Sequence, residues 1–201
     1  MPRTKEQNEE IKEATIIKIR EAGLKLFAVK GLVATSIVDI SETAGISTGL
    51  MYHYYKSKEE LYAELVTMAI TGANTAVCEI AALPVCPREK IVLLAQEILK
   101  QITADEYTAY FYVFMPQVLL NKGLLKKAQR LLKDAYVPVD KLKEIVVEGQ
   151  QAGEIKEGNP DALTTLFFST ITGLCTWKLI KGKKFVLPQP EMLTSILLNN
   201  Q

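Results

Sequence analysis

The chain offers little to a catalyst. Its single histidine, His53, cannot build a His-rich metal centre, and Cys78, Cys86 and Cys175 stand at no metal-ligand spacing. There is no Gly-x-Ser-x-Gly elbow, no phosphate-binding Gly-Lys-Ser/Thr loop and no dinucleotide fingerprint. Glu144 and Glu148 lie one helical turn apart, but beside Lys141 and Lys143 they read as a solvated face. The expectation is therefore no enzyme, no metal and no cofactor. What the chain does carry is a cluster of short polar groups around a tight turn: Thr35, Ser36, Ser47, Thr48, Tyr52, His53 and Lys58, with Gly49 and Leu50 among them. Hydroxyls, an imidazole and an ammonium in such a cluster suit contacts to phosphate oxygens and base edges.

Those groups need two short helices to hold them. Ser36 precedes Ile37, Ile40 and Ala44, an apolar series of helical period, and Asp39 completes a capping box with Ser36. Gly45 follows where the chain must leave that helix, since glycine takes a positive φ without a Cβ penalty. Ile46 turns inward. Ser47 then caps a second helix over residues 48–54, with Met51 and Tyr54 or Tyr55 inward and Thr48, Gly49, Tyr52 and His53 outward. A glycine turn between two helices, the second presenting short donors, matches a recognition helix entering the major groove. Before it, Ile16, Ile19, Gly23, Leu26 and Phe27 form one stripe of a helix over 9–29, ended by Gly31 and preceded by a polar arm over 1–8. After it, Ser57 and Glu60 form another capping box and open a helix at Lys58 with Leu61, Leu65 and Met68 on one face. The free amides at that helix start, with Lys58, suit a phosphate, and its far half enters the next core. A tilt of this helix would move the recognition helix.

Residues 10–66 resemble the DNA-binding domain of TetR-family transcriptional regulators. The matching residues are Phe27, Gly31, Thr35 and Ser36, then Ile40 and the run Ala44, Gly45, Ile46, Ser47, then Gly49, Tyr52, Tyr55 and residues 56–61. Position 48 departs, with Thr48 where the family often has Lys or Arg. The resemblance implies an all-α chain: a three-helix helix-turn-helix domain over 1–60, and a helical ligand-binding and dimerisation domain over 61–201. It implies a homodimer on a palindromic double-stranded operator, released by a small-molecule effector. Thr35, Ser36, Ser47, Tyr52 and Lys58 would meet the backbone, and Thr48, Gly49, Leu50 and His53 the bases.

The rest of the chain reads as helices broken by proline. Pro87 opens one over 88–103. Residues 107–121 are dense in rings, and Pro116 is expected to kink or end that helix and loosen the packing beside it. An apolar or aromatic effector would then sit among Met68, Tyr107, Phe111, Tyr112, Met115 and Trp177; ordinary core packing is the alternative. Further helices are expected over 123–137 and 139–152. Asn159 and Pro160 start a helix reaching 180 that is apolar nearly all round, and Pro190 opens a last one. In the family the last two long helices build the dimer interface, which the resemblance assigns to Leu163, Phe167, Ile171, Leu174, Met192 and Ile196. The same apolar helix also suits the centre of a monomeric bundle.

With 201 residues, 48% hydrophobic and 23% charged, the chain can bury a core without disulfides. The longest run without a charge, 162–177, is interrupted by hydroxyls and too short for a bilayer, so no membrane partner is expected. An odd cysteine count and no apolar leader point to a reducing cytoplasm. The first sixty residues hold nine basic and nine acidic side chains, so phosphate neutralisation should be slight and the salt dependence of DNA binding shallow. A helical adaptor that binds protein partners is the alternative function.

Overall fold

The structure, a computed structural model, describes residues 5–121 and 131–199. It runs α1 (Lys5–Ala34), α2 (Ile37–Ala44), α3 (Thr48–Tyr54), α4 (Lys58–Ala81), α5 (Pro87–Ala104), α6 (Glu106–Leu120), α7 (Leu131–Asp134), α8 (Val137–Gln151), α9 (Pro160–Lys181) and α10 (Pro190–Thr194). Among the described residues the only β pairing is an isolated bridge between Ile155 and Leu198.

The start signals act where the residue types place them. Ser36 accepts from the Asp39 amide at 3.0 Å while Asp39 accepts from the Ser36 amide at 2.8 Å, closing the capping box. Gly45 takes φ 67° and ends α2, its N–H reaching the Glu42 carbonyl while Ile46 reaches back to Ser41. Gly31 interrupts α1 with φ 76°, so the regular helix stops there and residues 32–34 form a last turn beyond it. Asn159 caps α9 through the Asp161 and Ala162 amides.

Two buried clusters divide the interior. The first joins Ile19, Leu24, Phe27, Ile40, Met51 and Tyr55 to Leu61, Leu65 and Ile70 of α4 and to Phe114 and Val118 of α6. The second joins Val77, at the far end of α4, to α5, α8, α9 and Leu193 of α10. Residues 60 and 61 fall inside α4, which runs through both clusters. α6 does the same from the other side: Tyr62 meets Phe27 and Phe114 edge-on at 5.1 and 5.0 Å, and Gln117 donates to the Ala28 carbonyl at 2.6 Å. Full burial of such rings stabilises by about 1.5–3 kcal/mol each. α1 and α4 approach closely at Gly23, where a Cβ would lie 2.5 Å from Leu61 Cδ2.

Three expectations need correction. Pro116 neither ends its helix nor opens a cavity beside Trp177; α6 continues through it to Leu120, and Phe114 and Val118 on either side are packed. The last helix is only five residues long, with Leu193 buried in the second cluster, so the last two long helices are α8 and α9. α9 is not buried on every side: Phe167, Ile171 and Cys175 face the core, while Leu166, Trp177 and Ile180 are exposed. The helix expected over 123–137 lies largely outside the described residues, apart from α7 and the start of α8.

Candidate nucleic-acid interface

Met51, fully buried, nails α3 to the first core and thereby turns the opposite face outward. Ser47 caps α3 by accepting from the Leu50 amide at 3.1 Å, and the Ser41 and Thr48 hydroxyls meet at 3.2 Å across the turn. The outward set is Ser47, Gly49, Leu50, Tyr52 and His53, with Tyr52 56% exposed and Leu50 38% exposed, high values for large side chains that no core claims. Ser36 is exposed as well. Thr48 is half-buried, and its hydroxyl is engaged with Ser41.

Two residues expected to meet phosphate turn inward. The Thr35 side chain is buried, and its hydroxyl donates to the Gly31 carbonyl at 2.8 Å, closing the chain over the break in α1. Lys58 turns inward from the α4 start and donates to the carbonyls of Leu32, Val33 and Thr35, at 2.8, 3.2 and 2.6 Å. An ammonium has three donors, and all three are used on carbonyls freed where α1 ends. Both residues therefore hold α1 to the motif.

A family model described as bacterial regulatory proteins, tetR family, matches residues 19–65, a span from mid-α1 through α2 and α3 into α4. Residues 19–65 carry the DNA-binding region of the tetR family. It is 25% identical over 88% of its length to the fatty acid metabolism regulator protein of Bacillus subtilis, and covers 89% of that protein. Its motif is 43% identical over 49 residues to the transcriptional repressor KstR2 of Mycobacterium tuberculosis, an alignment covering 24% of each chain. The fold of the whole chain is shared more widely: the solved structure of the ketosteroid transcriptional regulator KstR2 superposes with TM-score 0.76 at 18% identity, covering 92% of this chain and 95% of that one. The Bacillus subtilis regulator FadR, solved with stearoyl-CoA, gives 0.61 at 23% identity, covering 90% and 94%.

Sequence reasoning overlooked the contact that locks the TetR-family motif from behind. Glu64 on α4 accepts at one oxygen, Oε1, from Arg20 Nε at 2.5 Å and from the Tyr55 hydroxyl at 3.0 Å. Burial is the largest single influence and opposes the Arg20 charge, but the hydrogen bonds and charges of Glu64 and Tyr55 together outweigh it and raise the guanidinium pKa. Burial first, and Glu64 second, push the Tyr55 phenol up to about 12, so it stays a donor at neutral pH. No spacing rule flags three residues drawn from α1, the end of α3 and α4.

Of the six residues expected to surround an effector, Met68, Tyr107, Phe111 and Met115 share the first core, while Tyr112 and Trp177 lie elsewhere. Met68 and Tyr107 border an open cleft of about 700 Å³ between α1, the end of α2, α4 and the start of α6, together with Ile17, Arg20, Ala22 and Tyr110. Phe111 and Met115 pack on the first core, with Phe111 edge-on to Tyr107 at 4.7 Å. Tyr112 packs on the second core beside Cys175, and burial raises both their pKa values, that of the thiol to about 12. Trp177 is 54% exposed on the outer face of α9 under the Lys181 ammonium, away from any such site.

Of the residues expected at a dimer interface, Phe167 and Ile171 are fully buried within the chain, and Leu163, Leu174 and Ile196 are half-buried against the same core. Met192, 64% exposed, stays available. The apolar outer face is rotated from the expected one and carries Leu166, Trp177 and Ile180, with Gly173 between them where an added Cβ would meet nothing.

Proposed function

We propose that this regulator is a repressor that binds a palindromic operator as a homodimer and leaves it when a small apolar or aromatic effector binds. The observation that carries the reading is the exposed face of α3, where Gly49, Leu50, Tyr52 and His53 stand out from a helix anchored by Met51. One such helix reads only a few base pairs, so two are needed, and half-sites about a helical turn apart or more follow from that geometry. The division into a DNA-binding unit and an effector and dimerisation unit is part of the same proposal, with α4 and α6 shared between them.

The exposed α9 face supports the dimer. Lys143 of α8 pairs with Asp161 of α9 at 2.7 Å, and α8 carries an exposed apolar residue of its own, Val147. α9 is long and apolar enough to cross a bilayer by length and composition, yet Phe167 and Ile171 tie one side of it into the core, so a second copy is the better cover for the other. Relatives named for fatty acid metabolism and ketosteroids, one holding stearoyl-CoA, favour an effector with a large apolar part. The cleft beside Met68 and Tyr107 is its proposed point of entry, and a cytoplasmic regulator is the matching location.

The test is titration of the protein onto a duplex from upstream of its own coding sequence and onto a scrambled duplex at two salt concentrations. A preference for the upstream duplex at two chains per site is expected. Absence of binding to both duplexes would favour the adaptor reading instead.

A further inference from the structure

We propose that Glu64 is a positioning residue for DNA recognition, and that the chain Arg20–Glu64–Tyr55 sets the angle at which α3 is presented. α3 is seven residues long and ends at Tyr55, whose N–H closes on the Met51 carbonyl. A helix that short has few contacts of its own to fix its direction, so the group that holds its last residue decides where Tyr52 and His53 point. Tyr55 has its ring in the core and its hydroxyl on Glu64. The same carboxylate oxygen is held by Arg20 of α1, so one atom ties three helices together. A shared acceptor of this kind places both donors relative to one point, so a displacement of Glu64 alters both bonds at once. Charge-assisted bonds also hold direction more firmly than the neutral packing around them.

The position of this acceptor matters beyond stability. Glu64 sits on α4 between Leu61 and Leu65, in the part of the helix that faces the motif, and Arg20 borders the cleft on the side of α6. A shift of α4 along its axis would carry Oε1 away from the Tyr55 hydroxyl while the Tyr55 ring stayed packed. Loss of specific reading would follow without unfolding of the motif. Phosphate contacts, which depend on charge more than on the angle of α3, would persist.

This inference rests on the reading of α3 as the DNA-reading element, so the experiment starts from a duplex that the wild-type chain enriches from a random pool. If nothing is enriched, the DNA reading falls and the inference falls with it. With that duplex in hand, Glu64→Leu, Glu64→Gln, Tyr55→Phe and the Glu64→Leu/Tyr55→Phe pair are compared for affinity to it and to a scrambled duplex. Glu64→Leu should reduce the preference for the enriched duplex about tenfold, with scrambled binding unchanged, and Glu64→Gln, whose amide oxygen still accepts, should restore much of it. Tyr55→Phe, which keeps the ring, should lose about threefold, and the pair should lose no more than Glu64→Leu alone. Strictly multiplicative losses in the pair would overturn the relay. So would equal losses on both duplexes, or a preference that none of the variants changes.

Discussion

At the scale of single residues, the helix starts and the ammonium of Lys58 do the holding. Ser36→Ala removes one side of the capping box and should cost about 1 kcal/mol in urea unfolding. Lys58→Met leaves three carbonyls at the end of α1 without their donor and should cost about 2 kcal/mol in the same assay, more than loss of a phosphate contact alone could explain. Titration adds a second handle. Burial raises the Tyr62 phenol to about 12, above the value near 10 of an unfolded chain. The neutral form is thus favoured in the fold, so its stabilising contribution is intact below about pH 10 and is lost as pH climbs toward 12. Tyr62→Phe should flatten the fall of stability across that window in denaturation curves taken between pH 9 and 12. Asp39 behaves oppositely. The Ser36 hydroxyl, then the Ser36 amide, hold its pKa below the usual 3.8, so stability from this group is present above that value and is lost in acid.

At the scale of elements, α9 separates two kinds of apolar residue that look alike in sequence. Phe167→Ala opens the second core and should cost about 3–5 kcal/mol without changing how the folded chains associate. Leu166→Glu with Trp177→Lys alters only the outer face, and sedimentation velocity should show monomers that melt nearly as wild type does per chain. Trp177 is also the only tryptophan, so a blue shift of its emission with rising protein concentration would report burial of that face directly. Unchanged association in the double variant would remove α9 from the interface. The α1–α4 contact carries a stricter constraint. Gly23→Ala would push a methyl into Leu61, and overpacking of this kind costs about 1–3 kcal/mol.

At the scale of the whole molecule, the two clusters are not independent. α4 crosses both, α6 lies between α1 and the second cluster, and Tyr62 is wedged between rings from α1 and α6. A chain joined this way should unfold as one unit, so thermal transitions followed by far-UV dichroism and by Trp177 emission should coincide at one protein concentration. Two separated transitions would mean that the motif melts apart from the helices behind it. The same joining would let an effector at the proposed entry beside Met68 and Tyr107 bear on DNA affinity. Its influence is limited to its differential affinity for the two arrangements of α4 and α6.

The all-α class, the boundaries of α2 and α3, and the outward placing of Gly49, Tyr52 and His53 were legible in the residue order, because capping, the positive φ of Gly45 and the helical period act within a few residues of one another. Ser36, Asp39, Gly45, Ser47 and Met51 needed no partner from elsewhere in the chain to be read. The packing of the helices against one another was needed to choose the outer face of α9, to turn Thr35 and Lys58 inward, and to leave Trp177 exposed while Met68 packs on the first core. An all-round apolar helix has no period to choose its buried side, and the carbonyls that capture Lys58 come from an α1 terminus more than twenty residues away. The tie between Arg20, Tyr55 and Glu64 belongs to the same group, since it exists only where three helices meet.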